Sequence, residues 1–453
     1  MSRRSFRALA VLLLGLVSVI PVAGLNPPVL AATEFAPTRF DDPVPDGCQP
    51  GDCSLREAVI AANQASGADS ISLGAGTYTL SIAGTGEGEA ATGDLDINDS
   101  VTIIGAGADV TIVDGGGVDR VFEVTSADFT LSDVTVQNGE VDDYGAGIMN
   151  PGGSNLTVER VTISNNLSIG HLAEQIFHGG GGIFNQGTLT LSESTISANE
   201  ARESGGGGLY NGGEATITNS TISGNSTTGG DFGGAGVYQT SGTLLLVNST
   251  ISNNTGGGTF GAGIRTLSGG SAVNTIVAGN VPDDCGGNTG AMTSLGHNLG
   301  GDASCEFDAA GDLLETDPLL GALADNGGPT QTHALLEGSP AINAGDGDAC
   351  PATDQRGFAR TGVCDVGSYE FDGIPLELKQ GDVNCDNSVN SVDALIILRV
   401  KAGLPTTAAC VDLAGDVNCD GSLTAVDALG ILRFAAGLPV SQNNPCPDVG
   451  TPV

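Results

Sequence analysis

The strings VTISNN (161–166), STISAN (194–199), STISGN (220–225) and STISNN (249–254) recur at spacings of 26 to 33 residues, and NTIVAGN (274–280) is a looser fifth copy. Upstream of each lies a second string: GAGIMN (145–150), GGGIFN (180–185), GGGLYN (206–211), GAGVYQ (234–239) and GAGIRT (261–266). Between the two sit runs of alternating apolar residues, LTV, LTL, ATI and LLL. Each period therefore holds three strand-length runs and no helical pattern. Three short strands in a turn of about 25–30 residues define a parallel β-helix, whose coils stack one on the next. A mainly β chain of this kind is the expected fold class. The rival all-β sandwich would show hairpin turns and no such periodicity.

Stacking turns equivalent residues into columns. Ile163, Ile196, Ile222 and Ile251 form one expected interior column; Ile148, Ile183, Leu209, Val237 and Ile264 form another. Asn166, Asn199, Asn225 and Asn254 fall at one corner, where side-chain amides bond to each other and Asn tolerates left-handed backbone. Asn150, Asn185 and Asn211 mark a second Asn corner. An open stack needs protected ends. Ser54-Leu-Arg-Glu57 reads as a capping box that starts a helix over about 54–66, with Leu55, Ala58, Val59 and Ala62 as its apolar stripe. At the other end the repeat fades, and about 300–371 reads as a C-terminal cap.

Around this core the chain divides simply. Arg3, Arg4 and Arg7 precede an apolar run from Ala8 to Ile20, with small residues at Ala31 and Ala32. That is a secretory signal peptide over 1–32, too short for a membrane span. The β-helix follows over 33–371, then a link over 372–380 and a compact acidic module over 381–447. Lys+Arg is 15 against Asp+Glu 53, a formal charge of −38. Such a chain repels nucleic acid and anionic lipid and attracts cations. Ten cysteines in an exported chain point to disulfides. Close spacing suggests Cys48–Cys53, Cys285–Cys305 and Cys350–Cys364, although sequence alone does not fix pairing.

The last module holds two near-identical segments, GDVNCDNSVNSVDALIILRVKAGLP (381–405) and GDVNCDGSLTAVDALGILRFAAGLP (415–439). Each places oxygen donors at the positions of an EF-hand-like calcium loop. The first offers Asp382, Asn384, Asp386, the Ser388 carbonyl and Asp393. The second offers Asp416, Asn418, Asp420, the Ser422 carbonyl and Asp427. Asn390 and Thr424 stand at the water-mediated place, and Gly421 and Asn387 at the sharp turn. Each loop opens a helix, expected over Ala394–Ala402 and Ala428–Ala436. Without the ion each loop holds three carboxylates in mutual repulsion, so two calcium ions are expected to be coupled to folding.

Several of these strings resemble known families. CSLREAVIAAN (53–63) is similar to the signature of CSLREA-domain proteins. The stretch 317–346, with DQRGFAR (354–360) and CDVGSYEF (364–371), resembles the choice-of-anchor Q domain. The GGGIFN strings bear a weaker similarity to repeats of polymorphic outer-membrane proteins. These resemblances imply exported bacterial right-handed β-helix proteins with interchangeable C-terminal anchors. The 381–447 module resembles a type I dockerin, which implies docking onto a cohesin domain. Family recognition positions then fall on Ser391, Val392 and Arg399, and on Ala425, Val426 and Arg433. Two features depart from that pattern. Cys385 and Cys419 occupy loop position 4, to be bridged as Cys385–Cys410 with Cys419–Cys446 or in a crossed arrangement; and the two recognition pairs differ, which puts equivalent two-way docking in question.

Composition argues less for catalysis. Residues 33–371 contain no Lys to serve as a lyase base. There is no Trp, and aromatics are 4%, so sugar-stacking platforms are scarce. Loops leaving the Asn corner carry Glu140, Asp142, Asp143 and Tyr144; His171, Glu174 and His178; Glu200, Arg202 and Glu203; then Asp231 and Phe232. His171, Glu174 and His178 could share a metal, and Asp142 with Asp143 could form a catalytic pair, but solvated loops explain both. The sequence thus reads as a surface-attached adhesion or binding protein. The alternatives are a polysaccharide lyase or glycoside hydrolase of the same architecture, favoured by a basic residue beside two carboxylates along one groove, and a passive spacer.

Overall fold

The computed structural model describes residues 32–170, 179–229, 233–256, 260–286, 292–375, 378–384, 388–404, 410–442 and 446–451. Residues 1–31 of the expected signal peptide, His171, Glu174, His178, Asp231, Phe232, Cys385, Asp386 and Asn387 lie outside them.

Among the described residues the repeats wind into three long parallel sheets of ten, nine and eight strands. One coil runs from Ile183–Asn185 in the eight-stranded sheet to Thr188–Ser192 in the ten-stranded and Thr195–Ser197 in the nine-stranded sheet. Residues pair in register with the next coil, so Ile163, Ile196, Ile222 and Ile251 stack as one column. Ile148, Ile183, Leu209, Val237 and Ile264 stack as the other. Both columns are sealed from solvent.

The coil has one more side than the three expected strands. Glu140–Val141, Leu167–Ile169, Glu200–Arg202 and Ser226–Thr228 form a short fourth parallel sheet. Residues expected to project as loops from the Asn corner are thus partly strand. Their composition, Glu, Ser and Thr beside buried Val141, Ser168, Ala201 and Thr227, alternates too briefly to read as a strand.

Both Asn corners form. Asn166, Asn199, Asn225 and Asn254 each donate from Nδ2 to the next Oδ1 at 2.9–3.0 Å, and the ladder runs on through Asn280 to the Asp284 carboxylate. Asn150 and Asn185 donate likewise down the second ladder at 2.6 Å. The left-handed residue, however, is the one before the ladder Asn: Asn165, Ala198, Gly224, Asn253 and Gly279 have φ of +57°, +55°, +66°, +59° and +74°. The ladder side chain turns inward, and its neighbour makes the bend.

Helix α1 (Leu55–Gln64) covers the first coil behind the expected capping box, with Cys48–Cys53 beside it. Its stripe is buried, and so is Arg56, which pairs with Asp42 at 2.7 Å and donates to the carbonyls of Ala90, Gly93 and Asp94. At the far end the expected cap splits in two. Phe307 and Leu314 close the core beside Cys285–Cys305. The chain from about 317 onward is not a plug over the end of the stack. It runs back along the outside of the nine-stranded sheet as a strap. There Thr195 Oγ1 donates to the Gln331 carbonyl (2.6 Å), Thr221 Oγ1 to Gln355 (2.6 Å), and Asn248 Nδ2 to the Asp365 carbonyl (3.2 Å). The outward Thr and Ser of the repeats are buried polar groups, and a polar partner is what satisfies them. Cys350–Cys364 closes the strap, and Ile374–Pro375 in the link pairs with Phe358–Ala359.

The acidic module has helices α2 (Ser391–Lys401), α3 (Val411–Ala414) and α4 (Ala425–Ala435). Helices α2 and α4 begin three residues before the expected starts because Asn390 and Thr424 cap them from inside the loops. Short α3 had no sequence signal. Ala394, Ile397, Ala428 and Ile431 join Val383, Val411, Val417 and Val449 in a separate apolar core.

Candidate functional site

The two acidic loops expected to bind calcium are built around their last carboxylate. Asp427 is the N3 member of the Thr424 capping box. Its Oδ2 accepts from the Thr424 amide at 2.7 Å and its Oδ1 from the Asn418 amide at 3.3 Å. Asp393 does the same for Asn390 at 2.8 Å and for Val383 at 3.0 Å. One buried side chain thus ties the start of the loop to the first turn of its helix, and both carboxylates are fully buried. In the second loop Asp416 Oδ2 accepts from the Gly421 amide (2.8 Å), Asn418 Oδ1 from Asp420 (2.9 Å) and Asp420 Oδ1 from Ser422 (2.9 Å). These turns wind the backbone around its own oxygens, and Gly421 takes the bend at φ +82°. An all-oxygen set including three carboxylates suits a hard cation such as calcium. Asp382, Asn384, Ser388 and Asp393 hold the same places in the first loop.

The expected partner residues Ser391, Val392, Arg399, Ala425, Val426 and Arg433 are all exposed. Val392 and Val426, 49% and 58% exposed, stand among apolar neighbours that sequence reasoning passed over: Leu395 and Leu398 are 54% and 41% exposed on α2, and Leu429 and Leu432 are 55% and 41% exposed on α4. The missed signal is the matching of apolar positions between the two segments, at residues the helix turns away from its own core. Cys419–Cys446 is formed, and Cys410 is also disulfide-bonded. The expected Cys385 partner of Cys410 lies outside the described residues.

A second constellation lies on the β-helix. Arg120 pairs with Asp94 (3.4 Å), Glu123 and Asp143 (2.9 Å), and Asp119 is adjacent in sequence. Asp94, Asp96 and Glu123 bring carboxylate oxygens within 4.8 Å of one another. Burial pushes the Asp94 carboxyl up to about 8 against the pull of Arg120, and burial raises Asp96 to about 6. Arg120, facing several carboxylates, is held above its ordinary value despite its burial and stays a cation. Asp143, expected beside Asp142 as a pair, turns to Arg120 instead. This cluster was not legible because its members come from different coils of the early stack, where the repeat strings have not yet begun.

Asp96 and Glu123 also start a register column that continues through Met149, Phe184, Tyr210, Tyr238 and Arg265 on the eight-stranded sheet. Phe184 and Tyr210 stack at 4.9 Å, with Tyr144 4.4 Å from Phe184 and Tyr238 5.4 Å from Tyr210. Four aromatic rings, those of Tyr144, Phe184, Tyr210 and Tyr238, thus line up along this sheet. They pack mainly on each other, and Phe184 and Tyr238 are buried.

Comparison with known proteins agrees with this division. The model of the right handed beta helix region matches residues 117–298, and that of the dockerin type I domain matches residues 380–434. The chain therefore carries a right-handed β-helix and a C-terminal dockerin, which implies a cohesin-type partner and calcium binding. A crystal structure of pectate lyase Pel9A aligns with a TM-score of 0.44 at 14% identity, over 75% of this chain and 97% of that one. No curated protein matches the chain. Among the described residues, no helix is long and apolar enough to cross a membrane.

Proposed function

We propose that this is an extracellular β-helix protein used for adhesion or surface binding, displayed on a cohesin-bearing partner by its dockerin with two bound calcium ions. The observation that carries the attachment is the pair of exposed apolar rows on α2 and α4, each flanked by an Arg and each seated on a loop of calcium-type donors. Exposed apolar rows of this kind mark an interface. The disulfides support an extracellular setting. For the β-helix, adhesion is favoured over lyase chemistry by the scarcity of uncommitted Lys and Arg side chains among the described residues. Residues 33–371 have no Lys, and Arg120, Arg160, Arg356 and Arg360 are all committed to ion pairs.

Calorimetry of the full chain against recombinant type I cohesin domains, with calcium or with a chelator, tests the attachment. Binding in calcium alone is expected; no binding to any of them in calcium would overturn it. A second reading, glycoside hydrolysis, is favoured by one observation: Asp94, whose carboxyl burial raises to about 8, lies in one carboxylate cluster with Asp96 and Glu123. An acid and a base side by side are what such chemistry needs. Mass spectrometry of sugars released from a polysaccharide panel decides. Products that disappear in Asp94→Asn would replace adhesion by catalysis; binding to insoluble glycan or cells without products supports adhesion.

A further inference from the structure

The dockerin match ends at residue 434, but the folded module does not. Val449 packs in its core with Val383 and Ile431. The Gln380 amide donates to the Thr451 carbonyl and the Gly450 amide to the Gln380 carbonyl, both at 2.8 Å, so entry and exit of the module are clasped together. Two residues between α4 and this clasp, Gln442 and Cys446, reach the first half of the second calcium loop. Gln442 Nε2 donates to the Val417 carbonyl at 2.8 Å and to the Pro447 carbonyl at 2.6 Å. Cys446 is bonded to Cys419, a non-glycine residue held at φ +52°. From the other side, Gln380 Nε2 donates to the Asp416 carbonyl at 2.6 Å.

Those ties fall on residues 416–419, which supply the donors Asp416 and Asn418. The second half of the loop is fixed independently by the Thr424–Asp427 capping box. Each half therefore has its own protein contacts, which act against the mutual repulsion of Asp416, Asp420 and Asp427. We propose that residues 440–442 and 446–451, through Cys419–Cys446 and Gln442, are a brace that pre-forms the second calcium loop and so lowers the calcium concentration at which the α4 half of the docking face assembles. The proposal rests on the calcium-dockerin reading. Its physical basis is that ordering a loop before the ligand arrives removes an entropy cost from binding, and a covalent cross-link does so by restricting the open ensemble.

The test is a two-site calcium titration of the full chain by calorimetry, comparing wild type, Cys419→Ser/Cys446→Ser and Gln442→Ala, with the first loop as internal reference. The expected result is that one of the two sites weakens roughly tenfold or more in the double variant and less in Gln442→Ala, while the other keeps its affinity. Hydrogen exchange in chelator is expected to show residues 416–422 protected in wild type and exchanging fast in the double variant. Two unchanged affinities, or an equal fall at both sites, would overturn the brace. Gln442→Ala keeps the covalent bond, so it decides the matter if the double variant fails to fold: an unchanged second site and unchanged protection then sink the proposal. A wild-type chain that takes up no calcium would instead refute the calcium reading itself, and the brace with it.

Discussion

Asn225 shows how much one side chain can hold in a stacked coil. It donates to Asn254 Oδ1 (2.9 Å) and to the Ile196 carbonyl (3.0 Å), and accepts from the Asn199 side chain and amide (both 3.0 Å), with no exposure to solvent. Removing it strands buried donors and acceptors on both neighbouring coils. Asn225→Ala is expected to cost about 3 kcal/mol or more, read from urea denaturation, because each stranded group costs about 1–3 kcal/mol. Its neighbour Ala198 supplies the opposite case. At φ +55° it bears a Cβ where glycine would be relaxed, so Ala198→Gly should be neutral or stabilise by up to about 1 kcal/mol. Asp94 makes the charge argument. Its carboxyl is raised to about 8, first by burial. A folded-state value above the unfolded one gives stability that is present at low pH and lost as pH rises through the folded value. Wild-type melting temperature should therefore fall between roughly pH 4 and pH 8, and Asp94→Asn should flatten that fall. An identical pH profile in the variant would exclude Asp94 as its source.

At the scale of elements, the sequence carries what repeats and hides what does not. The Ile columns and both Asn ladders were legible because each coil restates them at one register. Helix α1 was legible from Ser54 and Glu57, and the two loop–helix units of the acidic module from their near-identical sequences. The fourth sheet was not, since its strands are two or three residues of mixed polarity. The strap's path was also hidden: its partners Thr195, Thr221 and Thr250 are more than a hundred residues away along the chain, and nothing local signals them. On α2 and α4 the recognition residues could be placed from the resemblance, but Leu395, Leu398, Leu429 and Leu432 needed the fold to show them facing outward. Leu429→Ala, at a site 55% exposed, should leave melting in calcium within about 0.5 kcal/mol of wild type. It should weaken cohesin binding roughly tenfold or more, as truncation of an interface anchor does. Calorimetry beside a thermal melt separates the two, and loss of both together would mean that Leu429 serves the fold instead.

For the whole molecule, the strap and the coil stack are joined by two different chemistries. Near the last coils Leu335, Ala341 and Val366 pack on Ile276, Ala278 and Leu299 in an apolar cluster distinct from the main core. Farther back the contact is polar. Gln355 Nε2 donates to Thr195 Oγ1 (3.0 Å) and to the Ser194 carbonyl (3.2 Å), and His333 Nε2 lies 2.8 Å from Ser223 Oγ. Burial lowers the His333 pKa, so it remains neutral near pH 7. The coils keep their own interior columns whether or not the strap is present, because those columns lie on the opposite face of each strand. The strap should thus open as a unit of its own, below the stability of the stack. Gln355→Ala removes the side chain that reaches both Thr195 and Thr221 while leaving the apolar cluster intact. In native-state hydrogen exchange the amides of residues 332–335 and 354–358 are expected to lose protection by roughly tenfold or more. Those of Ile196 and Ile222, bonded between coils, should be unaffected. Equal loss in strap and coils would show that the two unfold together and that the strap is an integral layer of the stack.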